Sequence, residues 1–482
     1  MLNFSDSRCP RFATILVILA GLLLQGCGGA RLESWHTVRL TEEFTEDKAD
    51  EVRDFADYLA LEDRLFDQLD QEVYAGSETG FEHRLNRYSP GSAADPRKYD
   101  INWNRSFELG ADQPRGGVLL LHGMSDGPYA LRTLGAALNE AGFQVVGMRM
   151  PGHGTAPSGL RFIRRQDMTA AVRIGMRHLD EVLGDKPIHI IGYSTGAPLA
   201  LEFALDALEG VSAPVPTSLI LVSPAIGIHA AAGMASFKDS LSNIPGMDSW
   251  SYLAIQKEFD PFKYNSFATN AADVVHQLTR SVARRIAERA ATNPEVILPP
   301  TLVFKSTVDA TVTTDAVVDN LLKRLHPERN ELVLFDINRF TKAGSSMLID
   351  DPAPLTDRVM EADNLPFAVT LVTNENEQTA NVVSVYKPPF SAEVSEPTSH
   401  NASWPRGVIS LSHLALAIAP DDPLYGRFPP EDDKHIFLGQ MAIQGERGLL
   451  QVSTDWMIRL RYNPFYDYLE QRLLDWVDDS GG

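Results

Sequence analysis

Two stretches of the 482-residue chain place a serine between glycines: Gly192-Tyr193-Ser194-Thr195-Gly196 and Gly123-Met124-Ser125-Asp126-Gly127. Gly-x-Ser-x-Gly between an apolar run and a helix is the layout of a nucleophile elbow, a sharp turn that raises a serine hydroxyl above a sheet. The surroundings favour Ser194. The helical "APLALEFALDAL" begins almost at once after it, and Pro198 falls in the first turn, where a missing N–H costs little. Pro128 instead pushes Gly127 out of the helical region, so a helix after Ser125 starts near Tyr129, too late for an elbow.

A serine hydroxyl attacks only if a neighbouring base takes its proton and an acid orients that base. Behind an elbow the chain order is serine, acid, histidine. "TLVFKSTVDATV" offers Asp309 just beyond an apolar strand, with Asp336 at the end of "ELVLFD" as its competitor. Four histidines follow Asp309. His326 precedes a strand and so lies at the wrong end of a sheet. His400 sits in the polar "EPTSHNASWP" and His435 in the charged "EDDKHIF". His413 follows the apolar "GVISLSHLALAIAP", which reads as a strand delivering the imidazole to the sheet's edge. The order Ser194, Asp309, His413 singles it out.

These residues need a scaffold. Short apolar runs at 118–121, 143–148, 188–191, 218–222, 301–304 and 331–335 alternate with helical patterns at 130–141, 167–183, 197–208 and 316–325. That alternation predicts an α/β fold: a mostly parallel sheet with helices on both faces. Two stretches interrupt it. Residues 224–299 read as a helical cap without a clear strand. Residues 338–406 read as an insertion carrying a β-hairpin in "FAVTLVTNENEQTANVVSVY", ahead of His413. Residues 105–482 form the catalytic domain, and "NPFYDYLEQRLLDWV" is its terminal helix.

Upstream, residues 27–104 read as a polar connector and an acidic amphipathic helix with Val52, Phe55, Leu59, Phe66, Leu69 and Val73 at helical spacing. Residues 1–26 have a secretory leader's layout: Arg8 and Arg11, an apolar run too short to span a bilayer, then small residues. Leu24-Gln25-Gly26-Cys27 resembles a bacterial lipobox, so Cys27 is expected to be acylated, tethering the protein in the cell envelope. Gly28 resembles the residue that follows in outer-membrane lipoproteins. The only other cysteine, Cys9, lies in the leader, so the mature chain has neither a disulfide nor a thiol nucleophile. The net charge of −21 argues against nucleic acid as a partner, which wants a basic face. No metal or cofactor motif stands out.

The stretches "LLLHGMSDGPYALR", "MRMPGHGTAPSGL", "IIGYSTGAPLA", "STVDATV" and "SHLALAIAPDDPLYG" together resemble the α/β-hydrolase superfamily, in its serine aminopeptidase-like branch with lysophospholipases and monoacylglycerol lipases. The resemblance implies a cap over the site and hydrolysis of a small carboxylic ester through an acyl-enzyme. It implies the backbone N–H groups of Met124 and Thr195 as oxyanion donors, and a structural role for His153. Two alternatives stay open: peptide or amide hydrolysis of the serine aminopeptidase type, and an envelope lipoprotein that uses the fold only for binding. His413 follows Asp309 at a wider spacing than the family's usual few tens of residues.

Overall fold

A computed structural model describes residues 32–226, 248–292, 298–309, 312–327, 329–340, 353–431, 435–439 and 460–480; the expected leader, residues 1–26, and Cys27 lie outside them. The first long helix is α1 (Phe55–Glu72). There follow β1 (Phe107–Leu109), β2 (Gly116–Leu121), α2 (Arg132–Glu140), β3 (Phe143–Met148), α3 (Arg165–Leu183), β4 (Ile188–Tyr193), α4 (Gly196–Leu208) and β5 (Ser218–Val222). The chain continues through β6 (Tyr252–Ala254), β7 (Phe267–Ala268), α5 (Thr269–Thr292), β8 (Thr301–Ser306), α6 (Thr314–Asn320), β9 (Asn330–Phe335) and α7 (Ala353–Glu361). It ends with β10 (Ala368–Asn374), β11 (Asn381–Lys387), β12 (Thr398–Ser403) and α8 (Tyr466–Ser480).

Ten of these strands make one sheet in the order β1-β3-β2-β4-β5-β8-β9-β10-β11-β12. Pairing is parallel from β3 to β10 and antiparallel at both margins. The central strands are Val, Leu and Ile runs buried along their whole length, as a sheet covered on both faces requires. Alternate side chains part between two cores. Leu119, Leu121, Ile190 and Leu221 join α3, α4 and α5 on one face. Val118, Leu120, Ile191 and Ile220 join α2 and α8 on the other. The chain runs from β2 outward to β3 and then back across to β4, so the loops leaving β2 and β4 face each other at a topological switch point, where open α/β sheets bind ligands.

Two expectations are corrected, and the expected β-hairpin at 368–387 is found as part of the main sheet. β10 pairs parallel with β9, and β11 and β12 extend the same sheet. The segment expected to be an all-helical cap contains the two-stranded ribbon β6–β7. The helix after that ribbon, α5, belongs largely to the main core, with Leu278, Val282 and Ile286 buried. The run before His413 is not a strand; residues 404–412 form no regular element.

The segment before β1 is bound into the domain. Fully buried Arg149, just after β3, pairs with Glu43 and with Glu62 of α1, each at 2.9 Å. Removing one partner of such a buried pair typically costs about 3–5 kcal/mol, because the other charge stays uncompensated. Among the described residues, no helix is long and apolar enough to cross a membrane.

Candidate active site

Ser194 occupies the turn between β4 and α4 with φ = 52°, in the left-handed region. Its N–H donates to the Val222 carbonyl of β5 at 2.9 Å, and its own carbonyl accepts from Ala197 at 3.2 Å and Ala225 at 3.0 Å. Both flanking glycines are sterically required. A Cβ on Gly196 would lie 2.0 Å from the Leu121 carbonyl oxygen, and one on Gly192 would lie 2.5 Å from the Gly196 carbonyl oxygen. The strain is therefore held by close backbone packing on both sides.

Beside the hydroxyl stands His413, whose Nε2 is 2.9 Å from Ser194 Oγ. Its Nδ1 lies 2.8 Å from Asp309 Oδ2. A carboxylate accepts only, so Nδ1 carries the proton and Nε2 is left to accept from the serine. Asp309 follows β8, and its Oδ1 accepts from the Val312 N–H at 3.1 Å. Burial pushes the Asp309 carboxyl up. The hydrogen bond and charge of His413 and the adjacent Lys305 ammonium outweigh that and hold it well below the usual carboxylate range.

The loop after β2 lies against the elbow: a Cβ on Gly123 would come 3.0 Å from Ser194 Cβ. His122 Nε2 accepts from the Met150 N–H at 3.0 Å, which leaves Nδ1 to donate to the Gly123 carbonyl at 2.8 Å. Burial lowers His122 to about 4, so it is neutral at pH 7. With the Gly123 carbonyl held on one side, planarity of the trans peptide turns the Met124 N–H to the other. Thr195 is the N-cap of α4, so its N–H stands at the helix end that favours negative charge. Met124 and Thr195 both line the cavity around Ser194. Buried His153 donates no proton there: its Nδ1 faces the Pro151 carbonyl at 2.9 Å, and its Nε2 lies 3.2 Å from the Met124 sulfur.

The other candidates lie elsewhere. Ser125 also has a positive φ, 67°, but its carbonyl is taken by the Tyr264 N–H at 2.8 Å and it does not line the cavity. Asp336 is engaged by Arg339 at 2.9 Å and Thr373 at 2.9 Å. His400 bonds Ser384 at 2.8 Å, His435 lies tilted against the Tyr99 ring with centroids 4.3 Å apart, and His326 stands before β9, at the opposite end of the sheet. Two ion pairs were not anticipated. Lys263 Nζ meets Asp126 Oδ1 at 2.5 Å in the cavity wall, and Lys305 Nζ meets Asp309 Oδ2 at 2.5 Å. The second had a sequence signal: a lysine inside the apolar run "TLVFKS", which burial forces to find a partner.

The cavity holds about 820 Å³, within the usual size range for small-molecule sites, and Phe267, Val275, Val308 and Leu411 give it apolar walls. Among the described residues, no group of three or more His, Cys, Asp or Glu could hold a metal ion.

Residues 112–338 match the family described as serine aminopeptidase, S33. The match takes in Ser194 and Asp309 and ends before His413. A thermostable monoacylglycerol lipase from Bacillus sp. (strain H-257) is 33% identical over 118 residues, which are 24% of this chain and 44% of the lipase. The chain thus spans less than half the length of that curated relative. Among solved structures, one from a description of two metagenome-derived lipolytic enzymes, LipS and LipT, is 19% identical with a TM-score of 0.39. A monoacylglycerol lipase from Paleococcus ferrophilus is 18% identical with a TM-score of 0.36. Each likeness covers 48% of this chain and 88% of the other.

Proposed function

We propose that this chain is a serine hydrolase of the α/β-hydrolase superfamily that cleaves carboxylic esters of the lipase or lysophospholipase kind. The observation that carries the reading is the continuous line from Asp309 through His413 to Ser194, at 2.8 and 2.9 Å. Ser194 Oγ attacks the acyl carbon as His413 Nε2 takes its proton. Asp309 holds the imidazole in the tautomer that leaves Nε2 free to accept and balances the charge that forms. The Met124 and Thr195 N–H groups receive the oxyanion; loss of one such donor typically costs about 10²- to 10³-fold in rate. His413 then returns the proton to the departing alcohol, and a water activated by the same imidazole releases the acid from the acyl-enzyme.

An ester is favoured over a peptide by the cavity's charges. A peptide's N-terminal ammonium needs a carboxylate to receive it. Asp126, the acidic residue of the cavity wall, is already paired with Lys263. The apolar walls suit an acyl chain. Turnover of p-nitrophenyl acyl esters against aminoacyl-p-nitroanilides tests the choice. Hydrolysis of the esters alone, lost in Ser194→Ala, is expected; preferred cleavage of the anilides would overturn the ester reading.

The leader and Cys27 add a second proposal: an acylated N-terminus holds the enzyme at the bacterial envelope, at an outer membrane facing the periplasm, beside lipid substrates. Metabolic labelling with a radiolabelled fatty acid should mark the wild-type protein and not Cys27→Ala. Equal labelling of both would reject the anchor.

A further inference from the structure

Lys305 lies on β8, a central strand of the sheet, and its side chain and that of Asp309 are both fully buried. Its ammonium contacts Asp309 Oδ2 at 2.5 Å, the same oxygen that accepts from His413 Nδ1 at 2.8 Å. A single carboxylate oxygen is thus shared between a fixed cation and the imidazole. Burial lowers the Lys305 ammonium, and Asp309 opposes that. A lysine placed inside a strand core is tolerated only when paired, and the partner it has here is the acid of the triad.

We propose that Lys305 is a positioning residue of the triad: it fixes the Asp309 carboxylate and cancels its charge, so that no uncompensated carboxylate faces His413 Nδ1. Without the ammonium, an ionised carboxylate alone faces the imidazole and favours its protonated form, which cannot accept the serine proton. With it, the buried pair is neutral overall before attack.

The other charged and titratable groups around the imidazole do not duplicate this. From the elbow, the Tyr193 ring lies 5.7 Å from the imidazole and its hydroxyl faces the His413 carbonyl at 3.5 Å. Burial, with the charges of Asp126 and Asp309, pushes that phenol well above its ordinary value, so it stays neutral. From the loop after β2 and the segment before β7, Asp126 and Lys263 neutralise each other.

The proposal rests on the triad reading above. Its test is the pH dependence of kcat/KM on p-nitrophenyl butyrate in the wild type, Lys305→Met, Lys305→Gln and Ser194→Ala. Methionine keeps the unbranched shape without charge; glutamine can still donate to Oδ2 and so protects the fold if methionine does not. In both Lys305 variants the acid limb should move to higher pH by about one unit, a roughly tenfold loss on that limb relative to the plateau. An acid limb unchanged in whichever variants fold would overturn the proposal and leave the triad intact. Turnover persisting in Ser194→Ala would overturn both.

Discussion

Ser194 and His413 end within hydrogen-bonding distance, yet the two ends of that bond are built differently. The serine is held by regular structure: its backbone bonds β5 and α4, and its flanking glycines touch neighbouring backbone so closely that no Cβ fits. The histidine arrives on a stretch with no strand or helix in residues 404–412. Residues at distant strand ends hold that stretch instead. Ser306, at the end of β8, donates its hydroxyl to the Leu411 carbonyl at 2.9 Å, and Asn338, beyond β9, donates its backbone N–H to the Ile409 carbonyl at 2.7 Å and its side-chain amide to the Val408 carbonyl at 2.8 Å. Ser412 in turn donates to the Leu460 carbonyl at 2.9 Å. The place of Ser194 is thus set locally and sterically, and that of His413 by a few long-range hydrogen bonds. Damage to the first should appear as lost stability, and damage to the second as lost rate.

The largest effect unites the two sides. Ser194→Ala or His413→Ala should each lower kcat by about 10⁴-fold or more, because triad members act as a unit. His400→Ala and His435→Ala should stay within about twofold of wild type; steady-state kinetics on one ester decides. Next comes the steric side. Gly196→Ala drives a Cβ into the Leu121 carbonyl and should cost about 3 kcal/mol in urea unfolding. A loss below about 1 kcal/mol would mean that the elbow is softer than its contacts imply.

The hydrogen-bonded side should respond the other way. Asn338→Ala removes the donor to Val408 and should lower kcat/KM by about tenfold to a hundredfold through misplacement of the imidazole. Its stability should fall by only about 1–2 kcal/mol. Equal rates in variant and wild type would show that residues 408–412 are held without it.

The smallest effect per residue is set by pH. Burial lowers His36, His122 and His189 to about 4 and His153 to about 3, and all four belong to the chain before the end of β5. The folded values lie below the ordinary 6.5, so the unfolded chain binds these protons first as pH falls. Their contribution to stability is complete above pH 6.5 and is lost as pH drops from there towards 4. Between pH 7 and pH 6 each should remove about 0.7 kcal/mol, read by urea unfolding at the two values. His122→Gln should make that dependence shallower.

The same contrast explains what the sequence reveals. Strands β2 to β5, β8 and β9 are largely apolar runs bounded by turn residues, so their type and order are legible. Ser194 is legible too, because Pro128 and Pro198 time the start of the two helices. The sheet's extension is not: nothing within 368–387 tells a free hairpin from one whose first strand pairs with β9, because the partner is remote in sequence. His413 is legible through chain order alone. Its apolar approach reads as a strand, since periodicity does not tell a buried strand from a buried irregular segment, and the side chains of Ser306 and Asn338 that hold it there lie far away in sequence. Lys305 is visible as a charge inside a strand, but only its distance to Asp309 gives it a role.

The account stands most directly on a fluorophosphonate adduct mapped by peptide mass spectrometry. It predicts a single modified residue, Ser194, with labelling lost or greatly slowed in His413→Ala. An adduct on Ser125 or another residue, or labelling of Ser194 at an undiminished rate without His413, would contradict it.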